Sequence, residues 1–480
     1  MTFPERTSLS KNPLIIYAFL VVCILGFPQD STASSLTYQR DYAYQASEAD
    51  SKLSCRTIAL EQVKRLLLEE LGTYLESHTE VRNYQVSRDQ VIAITAGIVR
   101  AEILQEKWDG MTYFIIAKIT VDPKQVARAV DDLRRERQSL SELEESKRRA
   151  DDLLGEIEKL QAELKSSKQG QSQQEEKNYA AAVKKLGAVD WYKEGYALME
   201  SRKYGEAVGF FDKAIDADPH YATAYSVRAF AHHRMKNYQQ SLKDVNRALE
   251  LKPDHAGALT NRALTLGSMK EYDKALVDVN RAISLKPDFA RAYNIRAFVY
   301  LNLRNNRQAI ENSNRAIELN PYFAAPYCNR GLAQSNMKRF EDAFKDFQRA
   351  IEIDPEDARP YHHRGWTYLR LKKYDEAIRD FNKSLEREPD FVPALYRRGL
   401  SYYGIKDYHM AARDFSKVVE SEKDHADAYY QRSLCYMKMG KKEESARDLK
   451  QAAQLGHSGA QRAIKYKKTL PDENDEQLPK

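Results

Sequence analysis

Between residues 188 and 459 the apolar and small positions recur every 34 residues, and each period holds two blocks of helical spacing separated by a short polar break. The periods begin at Ala188, Ala222, Ala256, Ala290, Ala324, Ala358, Val392 and Ala426. Position 4 is bulky (Trp191, Tyr225, Leu259, Tyr293, Tyr327, Tyr361, Leu395, Tyr429) and position 8 is small (Gly195, Ala229, Ala263, Ala297, Gly331, Gly365, Gly399, Ser433). Position 20 is mostly Ala, as in Ala207, Ala275, Ala309, Ala343, Ala377 and Ala411. Pro219, Pro253, Pro287, Pro321, Pro355 and Pro389 close the first six periods, where the last two carry Lys423 and His457. Small residues let two helices cross closely, bulky ones fill the space beside them, and proline stops the second helix because it lacks an N–H and its ring clashes with the preceding turn. The pattern predicts eight helical hairpins.

The first 187 residues follow other periods. Arg6 and Lys11 precede an apolar stretch from Pro13 to Phe27, followed by the small residues Ser31 and Ala33. As a helix that stretch spans about 22 Å, short of the roughly 30 Å hydrocarbon core of a bilayer. The order basic, apolar, small predicts an export signal over residues 1–33, with an uncleaved anchor as the alternative. Residues 34–125 read as a small α+β module. Leu36 to Tyr44 alternate as a strand, Leu53 to Tyr74 recur at helical spacing, Thr79 to Val86 read as extended, and Ser87 to Ile94 as a short helix. Two strand-patterned runs, Gly97 to Lys107 and Met111 to Val121, flank Trp108, Asp109 and Gly110, where Asp-Gly supplies the positive φ of a tight hairpin; Pro123 opens another helix. Residues 126–165 are intensely charged, with Leu143, Ala150, Ile157 and Leu164 at one heptad position and Ser146, Leu153 and Leu160 at the other. They predict a coiled coil able to form a homodimer or, alternatively, a solvated spacer helix. Residues 166–187 read as a linker that opens on a polar hinge around Gly170, and 460–480 as a capping helix and acidic tail.

The residues at positions 4, 8, 20 and 32 make residues 188–459 resemble the tetratricopeptide (TPR) family. The resemblance implies a mainly α fold: an eight-repeat, all-α TPR superhelical solenoid, preceded here by the small α+β module and the coiled-coil or spacer helix. It also implies a protein or peptide partner in a concave groove, lined by positions 2, 5, 9, 12 and 13 of each first helix. In this chain those positions bring Tyr192, Tyr196, Thr260, Arg291, Asn294, Arg359, His362, Trp366, Arg370, Tyr396, Tyr403 and Tyr430 to the wall. Phe230 and Phe298 lie there too, and packing within the array is the alternative role for these two and for Trp366. Asn261, Asn329 and Arg397 occupy places of the family's carboxylate clamp, but no three consecutive repeats supply the whole set, so capture of a chaperone tail is not expected. The stretches EQVKRLLLEELGTYLESHTEV, DQVIAITAGIV and EKWDGMTYFIIAKITV make the module resemble the N-terminal domain of flagellar assembly protein T and related bacterial envelope lipoproteins. That likeness implies an envelope setting and an accessory assembly role.

Position 7, usually Leu in the family, is Arg in repeats two to eight: Arg228, Arg262, Arg296, Arg330, Arg364, Arg398 and Arg432. Position 23 in the same repeats is Asp244, Asp278, Asn312, Asp346, Asp380, Asp414 and Asp448, whereas repeat one has Glu194 and Phe210. The two positions switch together, which predicts a repeated Arg–Asp bridge within or between hairpins. Matched acids of this kind would quench an arginine ladder for an anionic ligand.

Charge changes the picture little. With 76 basic and 70 acidic side chains the formal net charge is +6, and no sustained basic block stands ready to neutralise phosphates, so nucleic acid is not expected. There is no phosphate-binding glycine loop, HExxH, CxxC or GxSxG. The adjacent pairs His232-His233 and His362-His363 point about 100° apart on a helix, unlike the i, i+4 spacing that chelates a metal. No enzyme activity, cofactor or metal is expected. Cys55, Cys328 and Cys435 read as small buried thiols. The function expected is an exported, periplasmic or envelope-associated scaffold that binds protein partners, touching membrane only through the signal segment if it is uncleaved. A structural envelope protein handling cell-surface polysaccharide or peptidoglycan is the alternative.

Overall fold

The computed structural model describes residues 36–46, 50–77, 101–121, 137–166 and 172–467. The expected signal segment, the extended stretch at 79–86, the short helix at 87–94, the helix after Pro123, the hinge at Gly170 and the acidic tail lie outside the described residues. Within the module, β1 (Leu36–Gln45), β2 (Glu102–Trp108) and β3 (Thr112–Val121) form an antiparallel sheet in the order β1-β3-β2, packed on α1 (Lys52–Ser77). Alternation along β3 buries Tyr113, Ile115, Ala117 and Ile119, which share a core with Ile58, Val63, Leu67 and Leu71 of α1. The hairpin turn is as expected: Gly110 has φ +96°, and Asp109 Oδ1 accepts from the N–H groups of Met111 at 2.9 Å and Thr112 at 2.6 Å.

Two helices join this module to the repeats, α2 (Arg137–Ser166) and α3 (Ser172–Glu200). The linker expected over 166–187 is therefore helical from Ser172 onward. Tyr179, Ala182, Val183 and Leu186 recur on one buried face, so α3 runs without a break into the first helix of repeat one. The spacer also differs from expectation. Ser146, Ala150, Leu153, Leu154 and Ile157 of α2 are buried within the chain's own core, so these positions pack inside this chain.

A single apolar cluster runs from Tyr44 and Ile115 through Leu67, Ile157 and Tyr179 to Phe211 and Ala231. Two polar knots pin the same junction. Asp50 accepts from Tyr44 Oη at 3.2 Å, Ser54 Oγ at 3.0 Å and Tyr179 Oη, while Gln161 Nε2 donates to Tyr44 Oη. Lys64 Nζ lies 3.0 Å from Asp190 and 3.2 Å from Glu61, which Lys193 approaches at 3.6 Å. The module is thus built onto the solenoid rather than strung beside it.

The eight hairpins pair α3 with α4 (Tyr204–Ala217), α5 (Ala222–Arg234) with α6 (Tyr238–Leu251), α7 (Ala256–Ser268) with α8 (Tyr272–Leu285), and α9 (Ala290–Asn302) with α10 (Asn306–Leu319). They continue as α11 (Ala324–Asn336) with α12 (Phe340–Ile353), α13 (Ala358–Arg370) with α14 (Tyr374–Arg387), α15 (Val392–Gly404) with α16 (Tyr408–Ser421), and α17 (Ala426–Lys438) with α18 (Lys442–Gln454). The capping helix is α19 (Ser458–Lys467), started by His457 Nδ1 accepting from the Ala460 N–H at 3.0 Å. Among the described residues no helix is long and apolar enough to cross a membrane.

Helix crossing follows one rule of complementary size. Where position 8 is Gly, position 24 is Phe, in the pairs Gly195–Phe211, Gly331–Phe347, Gly365–Phe381 and Gly399–Phe415; a Cβ built on these glycines would come within 2.8–3.0 Å of the ring. Where position 8 is Ala, position 24 is smaller, in the pairs Ala229–Val245, Ala263–Val279 and Ala297–Ser313. The volume removed from one helix is returned by the other.

Candidate functional site

The arginines of position 7 brace the array. In six of the seven, Nε and Nη2 donate to the two carboxylate oxygens of the position-23 Asp in the same hairpin at 2.6–2.8 Å. Arg296 makes a single such bond, 2.6 Å to Asn312 Oδ1. Nη1 reaches a third partner that the sequence reading missed, the position-25 residue of the preceding repeat: Asp212, Asn246, Asn280, Asn314, Gln348, Asn382 or Ser416. Each fork therefore ties a hairpin to itself and to its neighbour. Hydrogen bonding to Asp278 and to Asp346 raises Arg262 and Arg330 above the ordinary arginine value.

Of the twelve residues expected on the groove wall, five are buried. Tyr192 packs on Tyr196, Phe211 and Tyr221, with ring centroids 5.2–5.9 Å apart, so Tyr192 and Tyr196 belong to the core under α2. Thr260 is turned back on its own helix, donating to the Ala256 carbonyl at 2.8 Å. Asn294 accepts from Asn329 Nδ2 at 2.8 Å, and His362 is wedged against Phe381 and Phe391. These five side chains offer no free surface to a partner.

Two of the arginines are also engaged. Arg291 donates to Asn261 Oδ1 at 2.6 Å and lies 4.3 Å over Phe230, and Arg370 donates to the Ser335 carbonyl at 2.8 Å. Together with the bonds from Asn261 Nδ2 to the Ser226 carbonyl at 2.9 Å and from Asn329 Nδ2 to Asn294 Oδ1, they lace the first helices of repeats two to six to one another. Arg359 is exposed, though paired at 2.6 Å with Asp357 at the start of its own helix. The turn of repeat one also reaches the loop after repeat five, Arg202 to Asp354 at 2.9 Å.

Towards the C-terminus the wall is more open. Trp366, Tyr396, Tyr403 and Tyr430 are all half-buried, Tyr396 against Phe415 and His425, Tyr403 against Tyr408, and Tyr430 stacked on His457 at 4.1 Å. Among them stands Arg397, which the sequence reading placed only in an incomplete clamp. Its guanidinium lies 4.3 Å over the Trp366 ring and contacts His362 Nε2. Among the described residues Arg397 has no carboxylate partner, and burial pushes its pKa down to about 10. The buried His362 Nδ1 beneath it also lacks a hydrogen-bond partner. Cys55, Cys328 and Cys435 are buried free thiols, and burial holds the Cys328 thiol up at about 12.

Models of the tetratricopeptide repeat match residues 192–256, 256–289, 290–323, 324–357, 358–391, 393–425 and 426–455. Among solved structures the fold is similar to the Cut9–Hcn1 hetero-tetramer of the APC/C, with 14% identity and a TM-score of 0.51 over 65% of this chain. The match spans 62% of the length of that relative. PilW, a type IV pilus biogenesis factor, matches at 19% identity and a TM-score of 0.40, covering 44% of this chain and 97% of that one. Pseudomonas aeruginosa pilF matches at 19% identity and a TM-score of 0.39, covering 44% and 99%. A search of the curated proteins finds no match. The repeat matches alone extend from residue 192 to residue 455, more than half of the chain, and the protein belongs to the tetratricopeptide repeat family.

Proposed function

We propose that the chain is an exported, non-catalytic adaptor that holds a protein partner by an acidic, extended segment laid in the C-terminal half of its concave groove. The TPR solenoid is a fold typical of protein–protein interaction, and the observation that carries the finer reading is Arg397. A half-buried arginine stacked on Trp366, beside Tyr396 and without a carboxylate of its own, is a receptor one acid short. A Glu, Asp or C-terminal carboxylate of the partner completes it, while the half-buried tyrosines supply apolar contact on either side. Export is supported by the basic, apolar and small segments that open the sequence, and an envelope assembly role by the resemblance of residues 34–125.

The reading is tested by fluorescence anisotropy with a labelled peptide of alternating Glu and aromatic residues and its Gln counterpart. A charge-assisted hydrogen bond contributes about 1.5–3 kcal/mol, so Arg397→Met is expected to weaken binding of the acidic peptide about ten- to a hundred-fold with helical content unchanged. Equal binding of the Gln peptide, or no effect of Arg397→Met, sinks the acidic reading. Retention of glycan alone would favour a cell-surface polymer as ligand. An export reporter fused after residue 40 is expected to be active only outside the cytoplasm.

A further inference from the structure

One edge of the solenoid is basic and the other turns acidic in the loops after repeats five to seven, in a register that one contact has begun to close. At the turn inside each hairpin, position 15 lies in the left-handed region, and in repeats one to seven it is Arg202, Lys236, Lys270, Arg304, Lys338, Lys372 and Lys406, with φ between 57° and 67°. A side chain there costs about 1–2 kcal/mol relative to glycine, which stands at the same place in repeat eight as Gly440. The terminal dipole of the preceding helix returns about 0.3–1 kcal/mol to a cation, so the backbone alone does not explain seven basic residues. All seven are exposed.

The opposite edge is formed by the loops between repeats. Positions 31 and 33 are both acidic in only three of them: Asp354 and Glu356 after repeat five, Glu388 and Asp390 after repeat six, Glu422 and Asp424 after repeat seven. Earlier loops carry Asp218 with His220, Lys252 with Asp254, Lys286 with Asp288, and Asn320 with Tyr322. One turn already meets one loop. Arg202 Nη2 donates to Asp354 Oδ1 at 3.1 Å and Oδ2 at 2.9 Å, and Nη1 to the Glu356 carbonyl at 2.9 Å, across 152 and 154 residues of sequence. The same step of 152 residues leads from Lys236 to Glu388 and from Lys270 to Glu422. The step of 154 leads to Asp390 and Asp424. Continued in that register, the first three basic turns match the three doubly acidic loops. A slip of one repeat would set Arg202 against Asn320 and Tyr322 instead. Among the described residues, Lys236, Lys270, Glu388, Asp390, Glu422 and Asp424 form no ion pair, although each side chain is exposed or half-buried.

We propose that the solenoid contracts along its axis as a spring, and that ion pairs of Lys236 with Glu388 and Asp390, and of Lys270 with Glu422 and Asp424, close in the contracted state behind the contact of Arg202 with Asp354. The state of these pairs sets the gap between successive turns of the superhelix, whatever the groove holds. Exposed pairs of this kind are weak singly and act as a set, so the contraction is sensitive to salt.

Zero-length carbodiimide cross-linking of the full chain, read by mass spectrometry, tests the register, because it joins only an amine and a carboxylate in contact. Links of Lys236 to Glu388 or Asp390, and of Lys270 to Glu422 or Asp424, are expected at about 0.01 M salt, where the screening length is about 30 Å, and should fall at least about ten-fold at about 1 M, where it is about 3 Å. The local pair of Lys274 with Glu271, 2.5 Å apart, controls for the effect of salt on the chemistry. In small-angle scattering at low salt, Lys236→Glu with Lys270→Glu should lengthen the particle, and adding Glu388→Lys, Asp390→Lys, Glu422→Lys and Asp424→Lys should shorten it again. The proposal is overturned if the control link forms without the long-range ones, if Lys236 links to Asp354 or Glu356 instead, or if the links vanish on dilution as contacts between two copies would.

Discussion

Replacing Gly331 by Ala puts the size rule of the hairpin crossing to a quantitative test. The new Cβ would lie 2.8 Å from Phe347 Cε1, 3.0 Å from Cδ1 and 3.2 Å from the Ala343 carbonyl oxygen, against an ordinary carbon–carbon contact of about 3.5–4.0 Å. Phe347 is fully buried and has nowhere to retreat. Overpacking of this kind costs about 1–3 kcal/mol, while Ala in place of helical Gly returns about 1 kcal/mol, so the single substitution should destabilise by roughly 0–2 kcal/mol. Phe347→Val alone opens a cavity and should cost about 2–3 kcal/mol. The double variant reproduces the Ala–Val pairing of repeats two and three. Its cost should fall below the sum of the singles by about 1.5–2 kcal/mol, since the methyl no longer clashes and fills part of the cavity. The propensity gain is common to both backgrounds and cancels in the cycle. Repeat arrays unfold in parts, so the assay is native-state hydrogen exchange of amides in α11 and α12 together with urea melts. A coupling energy within about 0.5 kcal/mol of zero, the spread expected of independent sites, would refute the reasoning.

Two further outcomes follow from charged groups in the repeats. Asp380→Ala strands the guanidinium of Arg364, whose Nε and Nη2 each donate to that carboxylate at 2.7 Å, and should cost about 3 kcal/mol; Asp380→Asn, which copies the Arg296–Asn312 arrangement, should cost about half as much, and equal losses in denaturant melts would contradict the fork. Burial holds His363 down at about 3 and His233 at about 4. Their unfolded forms bind protons first, so the stability they contribute is complete above about pH 6.5 and is lost as pH falls through the interval below it. His363→Gln should reduce the acid slope of stability by about one proton, and an unchanged slope in urea melts between pH 7.5 and 5 would show that the ring is already open to solvent.

What could be read from the sequence was what packs within one period. The positions that set the hairpin crossing all lie inside 34 residues, so the repeat phase, the helix starts and the partnership of positions 7 and 23 emerged without a structure. The size exchange between positions 8 and 24 was equally present in the letters, yet reading position 8 simply as small hid it. Contacts between distant segments were not legible. Nothing local tells that α2 folds back over Tyr221, turning Tyr192 and Tyr196 from wall into core. The heptads within residues 126–165 likewise carry no sign that α3 extends upstream to meet them. Arg397 is the converse case, a residue whose position was legible but whose want of an acid was not.

The position-7 fork has a bearing on the length of the array. Each arginine finds one partner 16 residues ahead and another 16 residues behind, and both distances survive when a whole 34-residue unit is copied or deleted at a joint between repeats two and eight. The bracing is therefore indifferent to how many units the chain contains, and a duplicated repeat would arrive with its fastenings in place. Repeat one is the exception. It carries Glu194 and Phe210 in place of the fork and is held by α1 and α2 instead, so the array has a fixed foundation at one end and a variable height above it.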